Sequence, residues 1–280
     1  MAITRNQRFG LITFIILAIA AVLVTIEPWK KSGNKNLSSP SEEMMPEISI
    51  EWTSLQDGYP FTGLEDTILR YKGFDIAYNE VHEQAAWVAY VLTAQEAGSS
   101  EVNRMDRFRE DLSIGSASAS LNDYRNSGYD RGHLAPAGDM RWDSAAMLES
   151  FLMSNMSPQV PAFNRGIWRK LEMRVRNWAL EKDSLYVITG PVLDPIQTQI
   201  GQNQVSVPAF YFKVLADLSP PDHSFLAFLI PNEGSDKDLF DYAVSVDSLE
   251  LFTGYDFFSE APGQSSISWL EEHVNPEKWR

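Results

Sequence analysis

The chain has 280 residues, 44% apolar and 12% aromatic, which is ample for a buried core of one or two domains and excludes a disordered polymer. A formal charge of −15 argues against a surface that coats nucleic acid or acidic lipid by bulk attraction, so any polyanion has to be met locally. There is no cysteine, which removes disulfides, thiolate metal sites and thiol nucleophiles from consideration.

In chain order, the first feature is the uncharged run Phe9 to Ile26, 18 residues preceded by Arg5 and Arg8 and about long enough to cross a bilayer as a helix. Residues 1–31 therefore read as an N-terminal transmembrane anchor. A cleaved signal peptide is the competing reading, with Ala18-Ile19-Ala20 as its small-residue site, but the apolar run continues beyond that point. Lys30 and Lys31 offset the two N-terminal arginines, and the bulk of the chain is expected to be extracytoplasmic, either periplasmic or external. Residues 32–48 are polar, contain Ser and Pro, and read as a flexible linker. From 49 to 280 there is no composition break or repeat, consistent with one domain.

Within that domain, 85–93, 185–193, 209–217 and 224–232 are β-branched and aromatic runs bounded by turn residues, and read as core strands. The connection "LSPPDH" suits antiparallel pairing of the last two. Between the first and second runs lies "YDRGHLAPAGDM", 129–140, where His133 is one of only four histidines. Helices are expected from 144 ("SAAMLESFLMSN"), from 166 ("GIWRKLEMRVRNWALEKD") and after a Ser245 cap. The class is α+β around a substantial, mostly antiparallel sheet flanked by helices.

On the first helix, Leu148, Phe151, Leu152 and Asn155 share one face, so Asn155 either continues an apolar stripe or closes the helix before Pro158. On the second, Trp168, Leu171, Val175 and Trp178 define the buried face. Asn164 falls at its centre and Glu172 about 80° away. The stretch 164–176 carries five basic residues against one acid, and Glu172 is spaced to pair with Arg169 and Arg176. Asn164 and Glu172 lie about 12 Å apart along an unbroken helix, too far to bind one ion directly. One amide ligand plus water suits Mg²⁺ better than Zn²⁺, which asks for more His or Cys.

Taken together, "NDYRNSGYDRGHLAPAGDMRW", "FLMSNMSPQ" and "FNRGIWRKLE" resemble, in order and spacing, the signature blocks of the DNA/RNA non-specific endonucleases, which have a ββα-metal fold. The resemblance extends from about 49 to 260. It implies that His133 is the general base, that Asn164 binds Mg²⁺ directly with Mn²⁺ as a substitute, and that Glu172 holds the metal's waters. It further implies that Arg131 contacts phosphate, that Asn155 helps hold the catalytic site together, and that the products carry 5′-phosphate ends. An upstream arginine should also contact substrate. Arg104, Arg107 and Arg109 compete for that role, with Arg107 preferred. DNA and RNA are the expected substrates, the membrane is met through the N-terminal helix, a homodimer is a compatible assembly, and no protein inhibitor is identified. Asp130 and Asp139 are expected to position the loop, and His82, His223 and His273 to pack. The competing functions are a catalytically silent polyanion-binding envelope protein and a metal-dependent phosphodiesterase acting on small nucleotides.

Overall fold

The computed structural model describes residues 59, 67–115, 118–194, 198–217, 219 and 223–280. The expected anchor and linker lie outside these residues. Among the described residues, no helix is long and apolar enough to cross a membrane.

Seven strands form the central sheet: β1 (Thr67–Arg70), β2 (Asp75–Asn79), β3 (Gln84–Thr93), β6 (Ser184–Pro191), β9 (Phe210–Asp217), β10 (Ser224–Pro231) and β11 (Ala243–Val244). They lie side by side in that order, and every neighbouring pair is antiparallel. All four expected strands are present within two residues of their expected ends. The 209–217 and 224–232 runs pair as expected, Ser224 opposite Asp217 through Pro231 opposite Phe210. Two small hairpins stand apart from the sheet, β4 (Asp130–His133) with β5 (Met156–Gln159) and β7 (Thr198–Ile200) with β8 (Val205–Val207).

The strands read as nearly continuous apolar runs because both sheet faces are covered. On one face Val88, Tyr90, Leu92, Val187 and Leu215 pack with Trp168, Leu171, Val175 and Trp178. These last belong to or adjoin α2 (Arg169–Glu181), which follows the short α1 (Ser144–Glu149). On the other face Trp87, Ile188, Val214 and Ala227 meet Val246, Leu249, Ile267 and Leu270, from α3 (Val246–Thr253) and α4 (Gln264–Glu272). Ser245 caps α3 through the Ser248 amide, as expected, and Gly254 ends it at φ 76°.

Two helix expectations need correction. The helix from Ser144 stops at Glu149 instead of continuing to 155. Residues 153–155 form a separate 3₁₀ turn after Leu152 turns extended (φ −65°, ψ 140°). Asn155 is therefore not on a helical stripe. The second helix starts at Arg169, preceded by a π turn, Asn164–Trp168, in which Gly166 leaves helical space at φ −102°, ψ −111°. The break re-aims Asn164 relative to α2 while keeping Ile167 and Trp168 buried.

β3 and β6 are direct neighbours in the sheet, so residues 94–183 form one long connection between them. That connection carries the β4–β5 hairpin, α1 and α2.

Candidate active site

The β4–β5 hairpin places the tetrapeptide Asp130-Arg131-Gly132-His133 opposite Gln159-Pro158-Ser157-Met156. Gly132 is required there, because a Cβ would lie 2.1 Å from the Cδ of Gln159, whose side chain is fully buried. Beyond β5 the chain passes Val160 and enters the turn that carries Asn164 and then α2. Two antiparallel strands and a helix thus frame a cavity of about 360 Å³.

Its walls include Arg104, Arg131, His133, Asn164, Glu172 and Arg176, together with Arg165 and Arg169. His133, Asn164, Glu172 and Arg131 are therefore brought together as the sequence led us to expect. Arg107 is exposed and does not line the cavity, whereas Arg104 does. Arg104 sits with its guanidinium 5.0 Å from the Phe151 ring centre and is paired with Asp106 at 2.7 Å. Arg109 instead donates to the Leu148 carbonyl at 2.7 Å, fixing the upstream segment to α1. Nothing in the local sequence pattern distinguishes the three arginines of this irregular segment.

His133 is 8% exposed, with its ring set edge-on to Phe151 at 5.0 Å and tilted against Phe108 at 5.7 Å. Its Nε2 is buried without a partner among the described residues, leaving Nδ1 as the ring nitrogen able to meet a reactant. Burial, reinforced by the charges of Arg104 and Arg131, lowers its pKa to about 3. The imidazole is therefore neutral, the form a proton acceptor needs.

Asn155 does not line the cavity. It is fully buried and braces the turn after His133: its Oδ1 accepts from the Ala135 amide at 2.8 Å, and its Nδ2 donates to the carbonyls of Ala135 (2.9 Å) and Ser150 (2.8 Å). Its place in the molecule is that of a positioning residue.

Asn164 donates from Nδ2 to Asp130 Oδ2 at 2.9 Å, which orients the amide so that Oδ1 is the end left to accept. Asp130 also receives Arg165 through Nε at 2.8 Å and Nη2 at 2.6 Å. Burial opposes its ionisation, but the hydrogen bonds from Arg165 and Asn164 and the charges of Arg165 and Arg131 outweigh it and hold the carboxyl below the usual range.

Glu172 does not form the helical ion pair its spacing suggested. Arg176 turns instead to Asp139 at 2.6 Å, and Asp139, fully buried, also accepts from the Tyr90 hydroxyl at 2.7 Å. Desolvation raises the Glu172 carboxyl, and the nearby Lys213 works against that rise. Lys213 itself is buried on β9, 5.1 Å from the Trp168 ring centre, and donates to Thr189 Oγ1. Asp130 and Asp139 both act as loop-positioning groups, as expected. His82 bonds Ser206 Oγ through Nδ1 at 2.9 Å, His273 stacks on Trp269, and His223 is buried.

Among the described residues, no three His, Cys, Asp or Glu side chains converge as ion ligands. The side-chain oxygen donors on the cavity wall, among the described residues, are the Asn164 amide and the Glu172 carboxyl. That small, hard donor set fits a largely hydrated dication such as Mg²⁺ and does not fit Zn²⁺.

The sequence profile of the DNA/RNA non-specific endonucleases matches residues 53–264. Endonuclease G of Caenorhabditis elegans mitochondria is 34% identical over 251 residues, 83% of this chain and 80% of that protein. A nuclease of a Nostoc strain is 32% identical over 262 residues, covering 87% and 91%. The mitochondrial nuclease EXOG of Danio rerio is 33% identical over 217 residues, 72% of this chain, and the match spans only 63% of that relative's length. Among solved structures, a chain of the crystal structure of the EndoG/EndoGI complex superposes with a TM-score of 0.68 at 30% identity, covering 80% of this chain and 94% of that one.

Proposed function

Since the chain belongs to the DNA/RNA non-specific endonuclease family, we propose that it is a metal-dependent endonuclease that hydrolyses phosphodiester bonds in DNA and RNA, with His133 as general base. The observation that carries this reading is the meeting of a neutral imidazole, an oriented amide and five arginines on the walls of one cavity.

Arg131 and Arg169 have no carboxylate partner among the described residues, so both are available to a phosphodiester entering the cavity. Arg104, Arg131 and Arg169 together offset the negative charge that grows on phosphate oxygens during attack. His133 takes the proton from the attacking water through Nδ1. Asn164 through Oδ1, and Glu172 through intervening water, would hold Mg²⁺, with Mn²⁺ as a substitute. Bound there, the dication would neutralise phosphate charge and favour departure of the leaving oxygen. The Asp130 clamp keeps Asn164 aimed, and Asn155 keeps His133 in place. Breaking the bond on its 3′-oxygen side leaves 5′-phosphate and 3′-hydroxyl ends. The polar groups on the cavity wall are mostly arginines suited to phosphate, and contacts to the phosphate backbone carry no sequence information, in keeping with activity on both sugars and any sequence.

We also propose that 1–31 anchors the protein to a membrane and that 32–48 holds a 49–280 catalytic domain on its extracytoplasmic side; protease accessibility on intact cells tests the side. The enzymatic reading is tested by digesting plasmid DNA and RNA with the full chain and its His133→Ala form, with Mg²⁺ and with chelator. Cleavage by the wild type in Mg²⁺ alone is expected. Chelator-resistant cleavage overturns the metal's role, full activity in His133→Ala overturns the base assignment, and retarded but uncut nucleic acid revives a silent polyanion-binding protein.

A further inference from the structure

A second cavity of about 320 Å³, lined by Leu121, Tyr124, Arg125, Tyr129, Asp130 and Arg131, shares Arg131 and the edge of β4 with the first. Its chemistry is mixed in a particular way. Arg125 is exposed and has no carboxylate partner among the described residues. Asp130 is committed to Arg165 and Asn164, so the cavity's uncommitted charge is positive. Two phenol rings and a 37% exposed leucine supply apolar surface beside it. The Tyr124 hydroxyl is buried with no partner among the described residues, and the residue packs against Met153, Met156 and Val205.

The walls are also fixed in advance. Asp123 closes a capping box with Ser120 and takes two further bonds from Asn203, its amide at 3.0 Å and its Nδ2 at 2.9 Å. The helical turn that carries Tyr124 is thereby tied to the β7–β8 hairpin. Asn126 at φ 58° and Gly128 at φ 87° then turn the chain back so that Tyr129 faces the same space as Arg125.

We propose that this cavity is a subsite for the nucleotide next to the cleaved bond, with Arg125 and Arg131 on its phosphate and Tyr129 and Leu121 against the face of its base. The assignment rests on the endonuclease reading of the first cavity. Arg131, reaching both cavities, keeps adjoining phosphates of one strand in register. Packing by ring faces and pairing by guanidinium are indifferent to base identity, which extends the grip on the strand without adding sequence preference.

The test uses the full chain in two assays. Anisotropy of a fluorescein-labelled hexathymidylate in chelator measures binding without turnover, and hydrolysis of bis(p-nitrophenyl) phosphate in Mg²⁺ reports the first cavity alone. Arg125→Gln and Tyr129→Leu should each weaken hexathymidylate binding at least fivefold. Tyr129→Phe should bind as the wild type does, and all three should hydrolyse the small diester within twofold of it. Unchanged binding in Arg125→Gln and Tyr129→Leu overturns the subsite, as does parallel loss of binding and small-diester turnover, which marks a structural role. If the wild type leaves the small diester intact yet the binding differences appear, the hydrolytic reading and the placement beside a cleaved bond both fail, and the cavity is a nucleotide-binding site only.

Discussion

Asp130 and Asn164, 34 positions apart in the sequence, are joined by a hydrogen bond of 2.9 Å from the amide Nδ2 to the carboxylate Oδ2. The bond ties the strand that carries His133 to the turn that carries the candidate metal ligand, and it decides which end of the Asn164 amide is left to coordinate.

Asp130→Asn should break that control, because a neutral amide no longer holds Arg165 and can present either end to Asn164. We expect half-maximal activity to need about 10–100 times more Mg²⁺, the usual cost of losing a partner behind a metal ligand, with the circular dichroism spectrum unchanged. A Mg²⁺ titration of initial rates checks this. An unaltered titration contradicts the orienting role.

Gly132→Ala drives a methyl group into Gln159, 2.1 Å from its Cδ. Gln159 is fully buried, so its side chain, the paired strands or both must give, at about 1–3 kcal/mol, disturbing the strand that carries His133. Urea unfolding and nuclease assays should show losses of both stability and rate. The double variant Gly132→Ala with Gln159→Ala should recover much of the stability, since the obstructing side chain is gone.

Acid should destabilise the protein partly through His133. The imidazole falls from its ordinary 6.5 to about 3 on folding, through burial and then the charges of Arg104 and Arg131. Between those values the unfolded chain binds a proton that the native chain refuses. The contribution is thus complete above about 6.5 and is lost progressively as pH drops toward 3. Unfolding midpoints from pH 7.5 to 4 should fall less steeply in His133→Asn than in the wild type. The His133 ring resonances should not titrate between pH 7.5 and 5; an inflection near 6.5 would refute the depressed imidazole.

Nucleic-acid binding should weaken sharply with salt despite the overall charge of −15. The cavity concentrates Arg104, Arg131, Arg165, Arg169 and Arg176, of which Arg131 and Arg169 meet no carboxylate among the described residues. Measured on the inactive His133→Ala background, the slope of log affinity against log salt should fall by about one when Arg131 or Arg169 is replaced by Gln. An unchanged slope would remove that arginine from the phosphate path.

Strands at 85–93, 185–193, 209–217 and 224–232 were legible because residues buried on both faces leave unbroken apolar runs. The order of the seven strands was not, since it depends on long-range pairing. The spacing of Leu148, Phe151 and Leu152 suggests one longer helix, but Leu148 is only half-buried before the break and Phe151 and Leu152 are buried after it, while Asn155 is spent on the backbone at 135 and 150. His133, Arg131, Asn164 and Glu172 could be named from motif and spacing. The Asp139–Arg176 pair that frees Glu172 from its helical partner, and the presence of Arg104 and not Arg107 on the cavity wall, depend on tertiary approach and leave no local trace.

Every residue lining the main cavity falls between Arg104 and Arg176, within the single excursion of chain that departs at the end of β3 and returns at the start of β6. Those two strands pair with each other directly, so their register is set in the ladder, while α2 within the same excursion covers one face of the sheet. Heredity is therefore free where the excursion is exposed, as at Arg104 and Arg165, and constrained where Leu171, Val175 and Trp178 pack on the sheet, so the charges around the cavity can be retuned by mutation without disturbing the fold beneath them.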